Sequence, residues 1–348
     1  MKIVIAIDSF KGCLSSVEAN AAAREGVLLA CPAAEVVTVP ISDGGEGWIE
    51  AYHSACGGEM IEVTACDPLR RPVTASYLIQ GQTAVIEVAK VIGLNLLLPE
   101  ERNPLIASSY GVGQLIIDAL QRGCKQFIIG LGGSATSDAG QGMMEALQGT
   151  SLLTDVRFTI ASDVANPLYG PKGAAAVFGP QKGATSQMVK ELDHRARLFA
   201  EEAATKMHID KAQSPGAGAA GGLGYALMQF MNARQRSGIE LLTELTDFDR
   251  QLADACLVIT GEGRADSQTV MGKAPMGILN RAKSHSVPVV LVAGQINDRK
   301  ALLQAGFAEA LCINPPTLPE AEAMRKEVAQ ENIRLTAKLL VNALMVPR

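Results

Sequence analysis

Four glycine-rich stretches carry acids where a phosphate or a metal could sit. They are Asp8-Ser9-Phe10-Lys11-Gly12, Asp43-Gly44-Gly45-Glu46-Gly47, Gly132-Gly133-Ser134-Ala135-Thr136-Ser137-Asp138 and Gly261-Glu262-Gly263-Arg264-Ala265-Asp266. Glycine lets backbone N–H groups approach a phosphate closely, and a following helix N-terminus adds favourable partial charge. A carboxylate beside such a loop would repel a bare phosphate. The combination makes sense if Mg²⁺ intervenes or if one acid acts as a base. Glycine plus acid in several loops therefore reads as metal-nucleotide chemistry rather than anion binding alone.

Each stretch also has a plainer reading. Asp43 and Glu46 could be an N-cap and a first-turn acid. Lys11 could meet a phosphate or a substrate carboxylate, or be a surface lysine beside a turn. Gly132, Gly133 and Ser134 suit a phosphate cradle, while Ser137 or Asp138 could simply cap the next helix. Glu262, Asp266 and Lys273 could hold a metal and a phosphate, or form a salt-bridged loop. Asp163-Val-Ala-Asn166-Pro could be a Mg²⁺ or substrate pair, or an Asx turn. Gly216 to Gly221 matches G-x-G-x-x-G, but Lys211 to Pro215 before it is not a strand, so the dinucleotide context fails. An anion could still sit at Gly218, Gly221 and Gly222, or their backbone could pack closely. The loop Phe178 to Gly183 reads as a turn unless Lys182 faces a cleft. No G-x-x-x-x-G-K-[ST], H-E-x-x-H or G-x-S-x-G occurs.

The elements that must position these loops alternate in type. Ile3 to Ile7, Glu35 to Ile41, Gln126 to Gly130, Cys256 to Thr260 and Val287 to Val292 are β-rich. Each runs into a loop and then a helical pattern, near 15–30, 47–56, 139–148, 275–285 and 298–305. That alternation predicts a parallel sheet with helices on its faces, and ligands bind such sheets at the carboxyl ends of their strands. Residues 59–98 differ. Glu59 to Thr64, Val73 to Ile79 and Thr83 to Val88 follow one another without a helix, which predicts an antiparallel meander. Phe158 to Ala161 is a further strand. Helical pattern dominates 184–207 and 221–233, and 319–345 reads as one amphipathic helix. The break in style at the meander suggests a second domain inserted after the opening units.

Composition bounds the function class. The chain has 348 residues, 48% of them hydrophobic, which excludes wholesale disorder. Net charge is −5 and aromatics are 4%, which disfavours a nucleic-acid partner. Seven cysteines without a CxxC predict free thiols in a reducing compartment. Lys2 is followed by five apolar residues before Asp8, too few for a signal-peptide core. The longest uncharged run, Ala212 to Ala233, contains Pro215 and five glycines, so no membrane span is expected. A cytoplasmic protein is predicted, with a homo-oligomer left open.

These segments together resemble the type I glycerate kinases, which phosphorylate D-glycerate with ATP. The likeness rests on Asp8-Ser-Phe-Lys-Gly, Pro40 to Glu46, Glu101-Arg-Asn103-Pro, Ile128 to Asp138, Ala161 to Pro167, Val177 to Gly183, Pro215 to Gly224, Ser237-Gly-Ile-Glu and Leu257 to Asp266 with Gly272-Lys273, in order over most of residues 1–295. The resemblance implies an α/β chain: a flavodoxin-like parallel-sheet domain (1–60 and 240–348) interrupted by a mixed α/β, restriction-endonuclease-like domain (61–239). It implies ATP and Mg²⁺ as cofactors and a small hydroxy acid as substrate, with 2-phosphoglycerate as product. On that basis Asp43 is the expected base with Glu46 in support, and Lys11 and Arg264 meet the substrate carboxylate or the transferred phosphoryl group. Gly132, Gly133, Ser134, Asp138, Gly218, Gly221 and Gly222 are expected at the nucleotide, and Asp163, Glu262 and Asp266 at the metal. Lys90 stands where the family has a small residue, Ser137 replaces an asparagine, and the chain is shorter than the family between Gly149 and Val156. The shortened segment and Lys90 motivate an alternative, a binding or regulatory paralogue that keeps the cleft without catalysis; a third reading is a phosphatase or isomerase of a phosphorylated hydroxy acid, which would work without ATP.

Overall fold

The computed structural model describes residues 1–42, 44–150, 155–266, 269–271 and 273–345, with Met271 described by its backbone alone. Among these, eleven strands follow in the order β1 (Lys2–Ile7), β2 (Glu35–Thr38), β3 (Glu59–Cys66), β4 (Pro72–Gln80), β5 (Thr83–Glu87), β6 (Gln126–Gly130), β7 (Arg157–Ala161), β8 (Arg234–Arg236), β9 (Ala255–Ala265), β10 (Val289–Ile296) and β11 (Glu309–Cys312). The chain packs as two compact units. One comprises Met1–Asp43, Glu50–Cys56 and Gly238–Arg348, and the other Gly44–Ile49 and Gly57–Ser237.

The first unit holds a five-stranded sheet in the order β2-β1-β9-β10-β11, with every pairing parallel. Counting only this unit's strands, the order is second, first, third, fourth, fifth, which is the flavodoxin-like arrangement. Strand residues alternate in direction, so both faces can be read off β1. Ile3, Ile5 and Ile7 point to one side and pack with Ala19, Ala23 and Val27 of helix Ser16–Ala30 and with Ile333, Ala337 and Val341 of helix Lys326–Met345. Val4 and Ala6 point to the other, among Ile278, Leu279 and Ala282 of helix Ala274–Ser284. Burial on both sides explains why these strands read as continuous apolar runs.

Two expectations need correcting here. Gly261 to Ala265 is not a loop: β9 continues through it, because β10 supplies partners as far as Ile296 opposite Ala265. Residues 319–345 are not one helix but two, Glu320–Ala323 and Lys326–Met345. The turn that separates them closes with Arg325 N donating to Glu322 O at 3.0 Å. Lys326 then pairs with Glu18, anchoring the long helix beside Ser16–Ala30.

The second unit holds a six-stranded sheet in the order β3 to β8. The first two pairings are antiparallel, as the meander requires, and the rest are parallel. Helix Tyr110–Gln121 packs Val112, Leu115, Ile116 and Ala119 onto this sheet. Its sequence hid it, since Gly111 and Gly113 lower helix propensity. The structure shows why they stand there: a Cβ on Gly111 would lie 2.1 Å from Cys66 O, and one on Gly113 would lie 2.7 Å from Met143 O. Phe127 and Phe158 stack across β6 and β7 with centroids 4.9 Å apart.

The helix pair over β1 is packed closely. A Cβ on Gly26 would lie 2.1 Å from Arg334 O and 3.0 Å from Ala337 Cβ. Gly26→Val should therefore force the helices apart and cost about 1–3 kcal/mol, by the usual scale of overpacking. Urea unfolding checks this, and an unchanged midpoint would show that the helices do not meet there.

Candidate functional site

The first unit opens a cleft of about 580 Å³ at the carboxyl ends of its parallel strands. Asp8 to Lys11 follow β1, Glu262 to Arg264 end β9, Gly294 and Gln295 belong to β10, and Cys312 closes β11. The strand order reverses direction at β1, with β2 on one side and β9 on the other, so the cleft sits at a topological switch point. Asp8 N donates to Gly261 O at 2.9 Å, which fixes the start of the first loop against β9. The Asp8 carboxylate accepts from Ser9 N at 2.7 Å.

Glu262 is the buried acid of this cleft, 7% exposed. Its Oε1 accepts the Thr269 hydroxyl at 2.5 Å, and Lys273 Nζ stands 3.5 Å from Oε2. Burial pushes its carboxyl above the ordinary glutamate range, and the Thr269 hydroxyl and the Lys273 charge pull it back. The same Thr269 hydroxyl accepts from Asp266 N at 3.0 Å, so Glu262 and Asp266 share one support. Lys11 and Arg264 are exposed and line the cleft.

The second unit gathers the other glycine loops backbone to backbone. A Cβ on Gly132 would lie 2.2 Å from Gly45 Cα, and Gly132 N donates to Gly44 O at 3.1 Å. A Cβ on Gly221 would lie 1.9 Å from Thr136 O, one on Gly222 2.7 Å from Ala139 Cα, and one on Gly218 2.3 Å from Pro167 O. Ala139 N donates to Gly221 O, and Gly218 N to Asn166 O. Ala220, Gly221 and Gly222 all take left-handed φ, so the regular helix begins only after them. These glycines are required by close approach of neighbouring backbone. Asp138 is engaged as well: its carboxylate accepts from Ser109 N and Oγ, Gly140 N and Gly142 N, at 2.8 to 3.1 Å.

At the centre of this loop cluster lies Lys182, 3% exposed. Its ammonium donates to Ser134 Oγ at 3.0 Å and to Thr136 O at 2.7 Å. Both partners are neutral. Burial lowers its pKa to about 7, against the pull of the Asp138 charge. The buried hydroxyls of Thr136 and Ser137 have no hydrogen-bond partner among the described residues. The sequence showed Lys182 only as one lysine in a glycine–proline turn. Ser109, Thr269 and Asn314 were not read at all, since each is a small polar residue in an ordinary turn context.

The expected site residues divide between the two units. Lys11, Glu262 and Arg264 share the first unit's cleft, with Asp266 tied to Glu262 through Thr269. The loops of Gly132, Gly133, Ser134 and Asp138 and of Gly218, Gly221 and Gly222 meet within the second unit. Asp163 and Glu46 are exposed on that unit. Asp43 lies outside the described residues. Among the described residues, no three His, Cys, Asp or Glu side chains gather closely enough to hold a metal. Magnesium usually takes one or two protein carboxylates and completes its shell with phosphate oxygens and water. Asp8 and Glu262 beside Lys11 and Arg264 fit that donor set.

Lys182 has a measurable signature. Its folded pKa is about 7 against an ordinary 10.5, so between those values the folded chain binds fewer protons there than the unfolded chain. Stability therefore rises with pH across that window, and the full penalty of the buried charge applies below it. Relative to Lys182→Met, the wild type should gain on the order of a few kcal/mol between pH 7 and pH 10. Urea titrations of both chains across that range check this. A stability difference that does not move with pH would mean that the ammonium is solvated.

A model of the Glycerate kinase family matches residues 3–155 and 148–345. The chain is 42% identical to the glycerate kinase of Bacillus subtilis (strain 168) over 369 residues, covering 97% of this chain and 96% of that protein. It is 43% identical to the glycerate 2-kinase of Escherichia coli (strain K12) over 328 residues, 86% of each. A solved chain from Salmonella typhimurium LT2, described as a putative glycerate kinase 2, superposes with a TM-score of 0.83 at 39% identity, over 99% of this chain and 98% of that one. The 369-residue alignment exceeds the 348 residues of this chain, so the Bacillus relative carries residues that are absent here. The two family matches overlap at 148–155. On the breadth of these matches, the chain belongs to the glycerate kinase family.

Proposed function

We propose that this chain is an ATP-dependent kinase that phosphorylates D-glycerate to 2-phosphoglycerate in the cytoplasm. The observation that carries the reading is the first unit's cleft. Carboxylates and cations alternate there at the carboxyl ends of a flavodoxin-order sheet, in a chain of the glycerate kinase family. The E. coli relative's name, glycerate 2-kinase, supports the choice of hydroxyl.

Phosphoryl transfer demands positioning and charge neutralisation more than covalent chemistry by the protein. The glycerate hydroxyl attacks the terminal phosphorus of ATP, the bond to the bridging oxygen breaks, ADP leaves, and the hydroxyl proton passes to a base. Asp43 is our choice for that base, with Glu46 in support. Lys11 and Arg264 offset the negative charge of the substrate carboxylate or of the moving phosphoryl group. Magnesium, when bound, would neutralise the phosphate oxygens, with Glu262 as protein ligand and Asp266 and Asp163 as further candidates. Nucleotide phosphates at Gly132 to Ser134 and Gly218 to Gly222 remain as a competing position.

Mg-ATP with a panel of small hydroxy acids should release ADP most rapidly with D-glycerate. Saturable binding without ADP release would favour the non-catalytic paralogue, and turnover without ATP would favour a phosphatase or isomerase. Asp43→Asn should keep the fold and lose about 10²- to 10⁴-fold in kcat, the usual contribution of a general base. Near-normal turnover removes it from that role. Glu262→Gln should shift the Mg²⁺ titration of activity to higher concentration, and an unchanged titration would leave Glu262 as a structural acid.

A further inference from the structure

The first unit's cleft is too large and too unevenly built for a three-carbon acid alone. Its volume of about 580 Å³ lies in the range of about 300–1,000 Å³ typical of pockets for drug-sized ligands. A glycerate ion would leave most of it filled with water. Its lining divides by character. Asp8, Lys11, Glu262 and Arg264 stand at or just past strand ends and Lys273 precedes helix Ala274–Ser284, whereas Phe10, Pro315, Pro316, Leu318 and Met324 make an apolar wall. Pro315, Pro316 and Leu318 lie between β11 and helix Glu320–Ala323, Met324 follows that helix, and Phe10 comes from the loop after β1. Met324 closes it against the first loop: its Cε would lie 3.6 Å from a Cβ on Gly12.

We infer that this cleft holds the nucleotide of the reaction, with purine and ribose against the Phe10–Met324 wall and the phosphates among Lys11, Arg264 and Lys273. The inference rests on the kinase reading above and gives its nucleotide a place. Three observations carry it. The cleft lies at the switch point of a flavodoxin-order sheet, where such sheets take their ligands. It joins an apolar wall to a charged end, which matches a flat heterocycle joined to a phosphate chain. In the rival loops of the second unit the glycines have another explanation: Gly132, Gly218, Gly221 and Gly222 abut backbone at distances that leave no room for a Cβ, and the N–H groups of Gly132 and Gly218 already donate to Gly44 O and Asn166 O.

The wall is held in place by its own polar ties. Asn314 Nδ2 donates to Gly294 O at 2.8 Å, and Asn332 Nδ2 donates to Asn314 Oδ1 at 3.0 Å. Helix Lys326–Met345 thereby fixes the position of the wall relative to β10. The Gln295 side chain lines the cleft without a hydrogen bond among the described residues, so its amide is available to a base edge or a ribose hydroxyl. Asp8 and Glu262 would repel a bare triphosphate, so the bound species is the magnesium complex.

Photolabelling of the full chain with azido-ATP and Mg²⁺, followed by peptide mapping, tests the placement. Label protected by ATP should fall within residues 312–324. Label within 132–138 or 216–224 would overturn the inference and leave the kinase reading intact, provided that ADP is still released with D-glycerate. Label within 312–324 on a chain that releases no ADP would keep the nucleotide site and sink the kinase reading. No protected label anywhere would overturn the placement outright. A second variant reads the same site in turnover. Met324 is 45% exposed, so Met324→Arg should fold, and it should raise KM for ATP by about tenfold or more with KM for glycerate within about twofold. A rise confined to glycerate, or no change in either constant, would overturn the placement.

Discussion

A parallel sheet has no free face. Each of its strands must be covered above and below, and β1 shows the consequence at single-residue spacing: Ile3, Ile5 and Ile7 serve one cover and Val4 and Ala6 the other. With both faces spent on helices, the ends of the strands are left as places where polar side chains can meet a ligand. The carboxyl ends carry the acids and bases of the cleft, and the order β2-β1-β9-β10-β11 parts the connections there. The position of the candidate site is thus a result of how the core is covered.

The second unit solves a different problem. Its loops are drawn together by main-chain contact, which only glycine permits at these distances. The space so closed contains Lys182, whose ammonium rests on a hydroxyl and a carbonyl. Removing a charge from water is expensive unless partners replace the solvent, and neutral partners replace it only in part. The lowered pKa of Lys182 is the electrostatic expression of that shortfall.

Much of this was legible beforehand, for identifiable reasons. Strands buried on both sides announce themselves as apolar runs, and the meander of β3 to β5 was marked by turns without intervening helix. That Lys11, Glu262 and Arg264 line the first unit's cleft follows from their place at or just past strand ends, which the apolar runs before them mark. What could not be read depends on distant partners. The sequence of Gly261 to Ala265 is that of a loop, yet β10 makes it a strand. Gly111 and Gly113 disguise a helix that needs them for packing. Lys182 is one lysine in a turn until Ser134 and Thr136 fold around it. The apolar wall after β11 is built from prolines and single hydrophobic residues with no period of their own.

The neighbour of β1 in the sheet has consequences for how the chain comes off the ribosome. Thr260 of β9 donates to Ala6 O across a separation of 254 residues. Residues 57–237, by contrast, form one continuous stretch that makes up the second unit together with the short 44–49 segment. Vectorial synthesis therefore favours assembly of the second unit first, while β1 and β2 wait with an uncovered edge for β9 to emerge. The opening of the polypeptide is thus the part that stays exposed longest, and it is there, at the nascent β1 edge, that a chaperone would have most to protect.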